Sequence, residues 1–336
     1  MIGLVVILIL VLILPFTAKV VERNLEIFLL VMGLTASMVS GVFNPSLLAK
    51  ALKDPVYISL TVLAAGMLFK WGQTPLKKGI SRIATLIPYR LFLALVVILL
   101  GLVSSVITAI VASLVLVAIV SVIQLDRHTE LRFVILACFS IGLGAALTPI
   151  GEPLSTIAIS KLDQNFGYLL HLIGTDVFTA IVILGWLTVL LVNPERHDHG
   201  RSEAVAESYS EIIVRAVKVY LFVMGLTLFG HGFHPFIDQY LTGLDPKLLY
   251  WVNMISAVLD NATLTAAEIS PAMNELTVRA ILLGLLISGG MLIPGNIPNI
   301  IAANKLNISS KEWARIGMPI GLMLMVLYFL IIFFLI

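Results

Sequence analysis

Two carboxylates and several neutral oxygen donors stand together in a chain that is otherwise strongly apolar. The segment "LDNATLTAAEISP" (259–271) contains Asp260, Asn261, Thr263 and Glu268 between two apolar runs. Carboxylate, amide and hydroxyl oxygens suit small hard cations, whereas thiolates suit soft metals. An ionised Asp at the centre of a bilayer costs about 2.5–3.5 kcal/mol on insertion scales, so its presence there indicates a function. We therefore take Asp260 as the first candidate for binding a cation.

Two further segments share one order of helix-breaking residues. "GAALTPIGEPLSTIAISKL" (144–162) and "GGMLIPGNIPNIIAANKL" (289–306) each contain a Gly, two prolines and a closing Lys-Leu. Proline removes a backbone donor and clashes with the preceding turn, so each segment is predicted to interrupt a membrane helix. Freed backbone groups at membrane depth must be buried in protein or line a cavity. Glu152 in the first break, and Asn296 and Asn299 in the second, are therefore predicted to join the cation site.

The composition places these segments in a membrane. The chain is 60% hydrophobic and only 12% charged, with a mean hydropathy of +1.07, whereas soluble domains average about 25% charged residues. Apolar runs of about 20 residues, each long enough to cross a bilayer core, recur along the sequence. The predicted fold class is an all-α polytopic membrane protein, and a net charge of +2 gives no sign of a nucleic-acid partner. Membrane helices are predicted near 2–17, 25–43, 56–70, 173–193, 212–231 and 316–336.

Several function classes lose support from the sequence. The first apolar segment lacks a basic region before it, and Lys19 and Arg23 follow it, so we interpret it as an uncleaved helix with its N-terminus outside. The single cysteine, Cys138, lies inside an apolar run and is interpreted as a packing residue. No phosphate-binding loop, nucleophile elbow or metalloprotease motif occurs, so an enzyme is not expected.

The matched breaks divide the chain into two repeats. We predict an N-terminal helix pair at 1–52 and a cytoplasmic linker at 194–210. Repeat 1 covers 53–193, with a hairpin at 89–124 and a broken helix at 131–163. Repeat 2 covers 211–336, with a hairpin at 249–273 and a broken helix at 277–306. Upstream of the breaks, "SSVITAIVA" (104–112) parallels "ISAVLDNAT" (255–263), which aligns Ala109, Ile110 and Ala112 with Asp260, Asn261 and Thr263. The first hairpin tip is thus expected to lack those oxygen ligands.

The positive charges favour an inverted relation between the repeats. If both hairpins are re-entrant and leave on the side from which they entered, each repeat crosses the membrane three times. Most of the 21 Lys and Arg residues then fall inside, in agreement with the positive-inside rule. Both chain termini fall outside under this topology. Five basic residues are left outside: Lys50, Lys53, Lys161, Lys247 and Arg279.

This arrangement resembles the ion transporter superfamily, which includes arsenite permeases, sodium/proton antiporters and sodium-coupled dicarboxylate transporters. The resemblance rests on the hairpin-tip motif at 256–263 and on the "TPIGEP" turn at 148–153, and it covers most of residues 53–336. The closest likeness is to a small prokaryotic group of predicted cation transporters. It implies an elevator-type secondary transporter in a prokaryotic cell membrane, usually a homodimer, with hairpins and broken helices in the moving domain.

The leading functional hypothesis is sodium/proton exchange. Burial disfavours the ionised form of a carboxylate and a bound cation favours it, so one carboxylate would hold either a proton or Na⁺. Glu152, Asp260 and Glu268 are the proton-relay candidates, and Asp176 is interpreted as either a relay or a buried strut. Asp260, Asn261 and Thr263 are the expected Na⁺ ligands, with Asn296, Asn299 and Glu152 completing the site. No resident cofactor is expected beyond the transported ions.

Two other functions remain open at this point. The same fold could take up a small anion such as a carboxylate with sodium, or export arsenite, but Glu152 and Asp260 would repel an anionic substrate. A membrane sensor or assembly subunit that transports nothing belongs to a different class. The short polar linker leaves little room for a signalling domain, which argues against this third hypothesis.

Overall fold

Apolar runs, proline breaks and polar caps divide the chain into helices joined by short connections. The computed structural model describes residues 2–86, 88–123, 125–192, 209–240, 244–259 and 261–335, without the side chains of residues 65, 68, 69, 72–86 and 238. Asp260 and most of the predicted linker lie outside these residues. No β-strand occurs in the part of the chain that is described, which agrees with the predicted all-α class.

The N-terminal part consists of four helices. Its elements are α1 (Ile2–Thr17), α2 (Lys19–Arg23), α3 (Leu25–Val39) and α4 (Pro45–Leu86). At 1.5 Å per residue, α4 is about 63 Å long, roughly twice the thickness of a bilayer core. The helix expected at 56–70 therefore extends at both ends, and the boundary expected at residue 52 lies inside it.

The rest of the chain shows one order of elements twice: a hairpin, a broken helix and a long helix. The first set is α5 (Tyr89–Ile107) and α6 (Ala109–Ile123), α7 (Arg127–Ala145) and α8 (Pro153–Leu162), then α9 (Tyr168–Leu191). The long helix α10 (Tyr209–Tyr240) precedes the second set, as α4 precedes the first. The second set is α11 (Pro246–Val252), a 3₁₀ turn (Asn253–Ala257), α12 (Asn261–Glu268), α13 (Glu275–Gly289), α14 (Ile297–Leu306) and α15 (Ser310–Leu330).

Polar caps define where several of these helices begin. Asp126 accepts a hydrogen bond from the Thr129 N–H at the start of α7, and Asn274 accepts one from Thr277 at the start of α13. Ser309 and Glu312 form a reciprocal capping box before α15. Such caps satisfy the orphan N–H groups of the first helical turn. The starts of the two broken helices and of the last helix are therefore fixed by polar caps.

The helices form two packed groups. The panel, which consists of α3, α4 and α10, is held by close helix crossings and by an ion pair between Glu26 and Lys218 at 3.0 Å. Gly33 and Gly225 allow α3 and α10 to approach so closely that a Cβ at either position would overlap the other backbone. The core bundle, α5–α9 with α11–α15, packs around the largely buried helices α7 and α13.

Contacts between the panel and the core bundle are made chiefly by the second arms of the hairpins. Helix α6 lies against α4, and α12 lies against α10. Helix α9 packs on α5 and α7, so Asp176, near its start, belongs to the core bundle.

Five of the described helices are long and apolar enough to cross a membrane. They are Tyr89–Ile107, Arg127–Ala145, Tyr168–Leu191, Tyr209–Ile237 and Ser310–Leu335. Three shorter apolar helices, α1, α3 and α6, accompany them. The protein is therefore a multi-pass membrane protein, as its composition predicts.

Candidate functional site

Both broken helices open at the predicted positions. Helix α7 ends at Ala145 and α8 begins at Pro153, whereas α13 ends at Gly289 and α14 begins at Ile297. The connecting backbone folds tightly over the preceding helix end, since a Cβ at Gly151 would overlap the Ala145 carbonyl oxygen and one at Gly295 would approach that of Gly289. Each break thus needs a glycine one residue before its final polar residue.

Glu152 and Asn296 are those final polar residues, and they have the same backbone conformation. Glu152 precedes α8 with φ −151° and ψ 145°, and Asn296 precedes α14 with φ −153° and ψ 145°. Neither side chain makes the hydrogen bond that an N-cap usually makes to its own helix. Helix capping therefore does not account for the carboxylate of Glu152.

The space between the breaks is a small cavity. Its volume is about 20 Å³, and a cavity of about 10–15 Å³ already holds one water molecule. Glu152 and Asn296, both buried, line it together with Asn261 from the second hairpin. The cavity thus joins one polar residue from each break and one from a hairpin tip, in a volume suited to a single water or dehydrated ion. The remaining lining residues are Pro153, Leu226, Ala262, Pro294, Gly295 and Ile297.

A larger cavity reaches the same residues from the other hairpin. Its volume is about 400 Å³, and its lining includes Glu152, Asn296 and Thr108. A third cavity of about 370 Å³ runs from the polar ends of α2 and α15 to Ile293 in the second break. Glu22, Lys218, Asn304 and Ser309 are among its polar lining residues. The breaks are therefore close to spaces large enough for several waters.

Both hairpin tips lie against the breaks, and the first tip is hydrogen-bonded to its break. At the first tip, the Ala109 N–H donates to the Gly151 carbonyl at 3.0 Å, and the Thr148 hydroxyl donates to the Ser105 carbonyl. At the second tip, the Ser256 hydroxyl donates to the Asn261 side-chain oxygen. Asn261 lies against Gly289, where a Cβ would approach its amide within 2.8 Å. The hairpin tips therefore lie at the depth of the breaks.

The register of the two tips differs by one residue from the sequence alignment. Ser104 donates to the Ile141 carbonyl at 3.0 Å, and Ser256 donates to the Leu285 carbonyl at 3.2 Å, so these two serines are equivalent. Helix α6 begins directly after Thr108, as α12 begins directly after position 260.

Thr108 and Ala109 therefore correspond to Asp260 and Asn261. The expectation that Ala109, Ile110 and Ala112 match the ligands of the second tip is wrong. The first tip keeps one hydroxyl at the position that corresponds to Asp260, because Thr108 stands there and lines the larger cavity.

The other predicted ligands are distributed around the site. Asn299 is fully buried, and its amide nitrogen donates to the carbonyls of Gly289 and Leu292, each at 2.9 Å. It therefore stabilises the second break directly. Thr263 faces the panel, where its hydroxyl would lie 2.6 Å from a Cβ at Gly230 of α10. Asp260, the central residue of the sequence hypothesis, lies outside the described residues, between Leu259 and Asn261.

Two basic residues bind each broken helix to an element of the other set. Arg127, at the start of α7, donates to the carbonyls of Leu306 and Asn307 at the end of α14, each at 2.9 Å. Lys161, at the end of α8, donates to the carbonyls of Ala266 and Ile269 at the end of α12. The base of each hairpin thus lies at the same end of the bundle as the last turn of the other set's broken helix.

Asp176 is a strut. Its two carboxylate oxygens accept hydrogen bonds from Arg279 Nε and Nη2, each at 2.7 Å, and the Tyr328 hydroxyl donates to its backbone carbonyl at 2.5 Å. Planar two-bond pairing of this kind fixes both side chains. The pair connects α9, α13 and α15, so of the two interpretations left open for Asp176 the structure favours the strut.

Sequence reasoning overlooked two residues near the site. A Cβ at Gly142 of α7 would overlap the amide nitrogen of Asn296. The lack of a side chain at Gly142 therefore lets Asn296 of the second break pack against the first broken helix. Asn253 donates from its amide to Glu268 at 2.9 Å and is fully buried. A single Asn in the apolar run "LLYWVNMISAV" was the available signal for Asn253. Nothing in the sequence around Gly142 indicated its role, because its neighbour Asn296 is 154 positions away in the chain.

Comparisons with known proteins give a family and no described activity. A search of curated proteins finds no match for the chain. The family match covers residues 1–335, and thus both hairpins, both breaks and the residues that line the small cavity. The chain belongs to the family described as "Protein of unknown function (DUF1646)".

Proposed function

We propose that this protein is a secondary active cation transporter that exchanges Na⁺ for H⁺. One observation carries the proposal: Glu152, Asn296 and Asn261, contributed by two helix breaks and a hairpin tip, line one ion-sized cavity inside a multi-pass membrane protein. Broken helices that meet near the midplane are the usual setting of transporter sites. We also propose that Na⁺ and H⁺ are cargo and that the protein has no resident cofactor.

The chemistry of the lining favours a hard cation. A carboxylate and two amide oxygens are ligands of the class that Na⁺ prefers, and the unwound backbone adds carbonyls. Asp260, which precedes Asn261 in the chain, is proposed as a second carboxylate ligand. Arg279 forms an ion pair with Asp176 and is therefore not available to bind an anionic substrate. This environment supports cation exchange more than uptake of a carboxylate.

Inverted repeats explain the exchanged packing within the core bundle. Helix α6 packs on α14, and α12 packs on α8, so each hairpin's second arm contacts the other repeat's broken helix. The contacts made by Arg127 and Lys161 have the same reciprocal pattern. A pseudo-two-fold axis in the membrane plane accounts for both relations. Under this proposal the two hairpins open to opposite sides.

We propose that access alternates by movement of the core bundle against the panel. A cluster of aliphatic side chains fills part of the contact between them, including Val62 and Val219 of the panel, Ile110 and Leu114 of α6, and Ile301 of α14. Contacts of this kind are non-directional and tolerate sliding better than a hydrogen-bond network does. The cavity that reaches Ile293 would then be an aqueous entrance from the cytoplasmic side.

The proposed setting is a prokaryotic cell membrane, with both termini outside and a homodimer formed through scaffold helices, in which residues 2–43 (α1–α3) are the candidate surface. Glu26 is turned towards Lys218, so the acid of α3 is neutralised within the chain. Exposed residues of α1, such as Val6, Ile9 and Ile13, are aliphatic and can face lipid or a second copy. Crosslinking in native membranes tests this arrangement, and a monomer under those conditions would contradict the dimer.

The function is tested by ion flux into proteoliposomes that contain the purified protein and a pH-sensitive dye. Sodium, lithium, potassium and carboxylate gradients are imposed in turn at one pH. The proposal predicts proton movement driven by Na⁺ and no response to the carboxylate. A carboxylate-dependent signal would favour the symporter hypothesis. The absence of a response to any ion, together with no Na⁺-dependent thermal stabilisation, would favour a protein that does not transport.

A further inference from the structure

The second hairpin contains a buried acid–amide pair outside the cavity between the breaks. Asn253, at the end of the first arm, donates from its amide nitrogen to Glu268 Oε2 at 2.9 Å. Glu268 is the last residue of α12 and is only 3% exposed, and Asn253 is fully buried. Neither residue lines the small cavity. The pair joins the two arms of the hairpin to each other.

Two oxygens of this pair lack a donor among the described residues. They are Glu268 Oε1 and Asn253 Oδ1. An ionised carboxylate has only acceptors, while an amide has one oxygen and one NH₂ group. Whichever way the amide is turned, an ionised Glu268 leaves the Asn253 oxygen without a donor, and a buried charge held by one hydrogen bond is costly. A proton on Glu268 Oε1 removes the conflict, because the resulting O–H can donate to Asn253 Oδ1.

We infer that Asn253 and Glu268 form a proton site in which a neutral carboxylic acid and an amide hydrogen-bond reciprocally, and which releases its proton when a small hard cation binds. On release, the proton leaves Glu268 Oε1 for water, and the carboxylate and amide oxygens are left facing the space that the proton occupied. The Thr265 hydroxyl, one turn earlier on α12, is fully buried and also lacks a partner in the described part of the chain. With a cation bound, this hydroxyl would complete a set of three oxygen ligands of the kind that Na⁺ or Li⁺ prefers.

The surroundings of Glu268 favour the neutral acid. Glu268 stands at the C-terminus of α12, where the helix dipole disfavours a negative charge. The titratable residues near α12 on its neighbouring helices are largely engaged elsewhere. Lys161 of α8 bonds the carbonyls of Ala266 and Ile269, and Arg279 of α13 binds Asp176.

Glu152 lines the small cavity with Asn261, at the other end of α12, and Asp260 precedes α12 in the chain. The remaining titratable groups on the helices packed against α12 are on α13 and α10. Glu275 is exposed at the start of α13. His231 and His234 lie close to Gly230, the α10 residue that contacts Thr263, and His231 is bonded to the Thr227 carbonyl. Other titratable residues of α10 are more than two turns from Gly230. None of these groups is bonded to Glu268 in the described part of the chain, so we assign a proton to this carboxyl group.

The inference deepens the proposed function, and its test is chosen so that the two can fail separately. Infrared difference spectroscopy of the full-length protein in lipid nanodiscs detects the C=O stretch of a protonated carboxyl group, with or without transport. We expect a buried acid band that disappears when NaCl replaces choline chloride. Glu268→Gln should remove the part of this band that belongs to Glu268, while any part from Asp260 or Glu152 stays, and it should fold, because glutamine reproduces the neutral acid. Glu275→Gln, an exposed carboxylate on α13, should leave the band unchanged.

A role reversal keeps the test decisive. Asn253→Asp combined with Glu268→Gln restores an acid–amide pair with its groups exchanged, and the band should return. Na⁺-triggered proton release in weak buffer should fall by one proton per chain in Glu268→Gln and recover in the double variant. An unchanged band in Glu268→Gln, or a band that ignores Na⁺, would overturn the inference. A normal Na⁺-sensitive band in a protein that moves no ions would contradict the proposed function alone.

Discussion

Glu152 and Asn296 stand one residue before the second half of each broken helix, in matching backbone conformations, and line the same small cavity. One position has a carboxylate and the other an amide of nearly the same shape. A cation bound between them would meet a charged ligand from the first break and a neutral one from the second. This asymmetry suits one exchangeable ion better than two identical sites.

The folded backbone of both helix breaks should be destabilised when their glycines are replaced by alanine. Gly151→Ala and Gly295→Ala would press a methyl group on the carbonyls of Ala145 and Gly289, and forced overpacking typically costs 1–3 kcal/mol. Both variants should lower the unfolding temperature in detergent. Gly167→Ala is the matched control, because the atom nearest to its added Cβ is 3.7 Å away. Equal stability of all three variants would contradict the close backbone crossing.

The contact between Gly230 and Thr263 tests movement of the core bundle. A Cβ at Gly230 would lie 2.6 Å from the Thr263 hydroxyl. The methyl group added in Gly230→Ala should therefore clash with Thr263 and hinder movement of α12 along α10. We expect slower flux with Na⁺-dependent thermal stabilisation retained. Gly230→Ala combined with Thr263→Ala should recover the flux of Thr263→Ala alone. If Gly230→Ala transports at the parent rate, this contact does not slide during the cycle.

Asp176 should be needed for stability and not for the exchange reaction. Asp176→Asn leaves Arg279 without its counter-charge, and removing one partner of a buried ion pair typically costs 3–5 kcal/mol. The unfolding temperature should fall strongly, while flux per folded molecule is kept. Asp163→Asn, at an exposed helix end where asparagine tolerates the left-handed backbone, should be neutral. Loss of exchange in folded Asp176→Asn would revive the proton-relay interpretation.

The opposite orientation of the hairpins can be tested with single cysteines. Cys138 is the single cysteine of the chain and is buried. Cys138→Ala therefore provides a background without thiols for the single-cysteine variants. His128→Cys at the base of the first hairpin and Ala272→Cys beyond the second are both at exposed positions. A membrane-impermeant maleimide applied to intact cells should label position 272 and spare 128. Labelling of both from one side would contradict inverted repeats.

The helical class and the membrane location could be predicted because they depend on local composition. The two breaks could also be located, since proline and glycine act on their own backbone within a turn. The hairpin register could not, because a one-residue difference between the tips is invisible until Ser104 and Ser256 are seen on equivalent carbonyls. Local signals do not fix such spacings.

Partners distant in the chain were also beyond sequence reasoning. Asp176 and Arg279 are 103 positions apart, so nothing local distinguishes a strut from a relay. Asn253 was hidden in an apolar run, and its importance depends entirely on Glu268 from the other arm of the hairpin. Thr263 has the right chemistry for a ligand, but its helix face is set by packing on α10.

The most direct measurement of the central claim is Na⁺-driven proton movement in proteoliposomes across pH 6 to 9, compared between the parent protein, Asp260→Asn and Glu152→Gln. Both substitutions keep an oxygen ligand and remove a negative charge, so both variants should fold. Asp260→Asn should abolish exchange and Na⁺-dependent stabilisation, because no carboxylate remains at that position to alternate between proton and sodium. Glu152→Gln should shift the pH profile while Na⁺ binding is partly kept. If Asp260→Asn exchanges Na⁺ for H⁺ like the parent protein, competition at this carboxylate is not the mechanism.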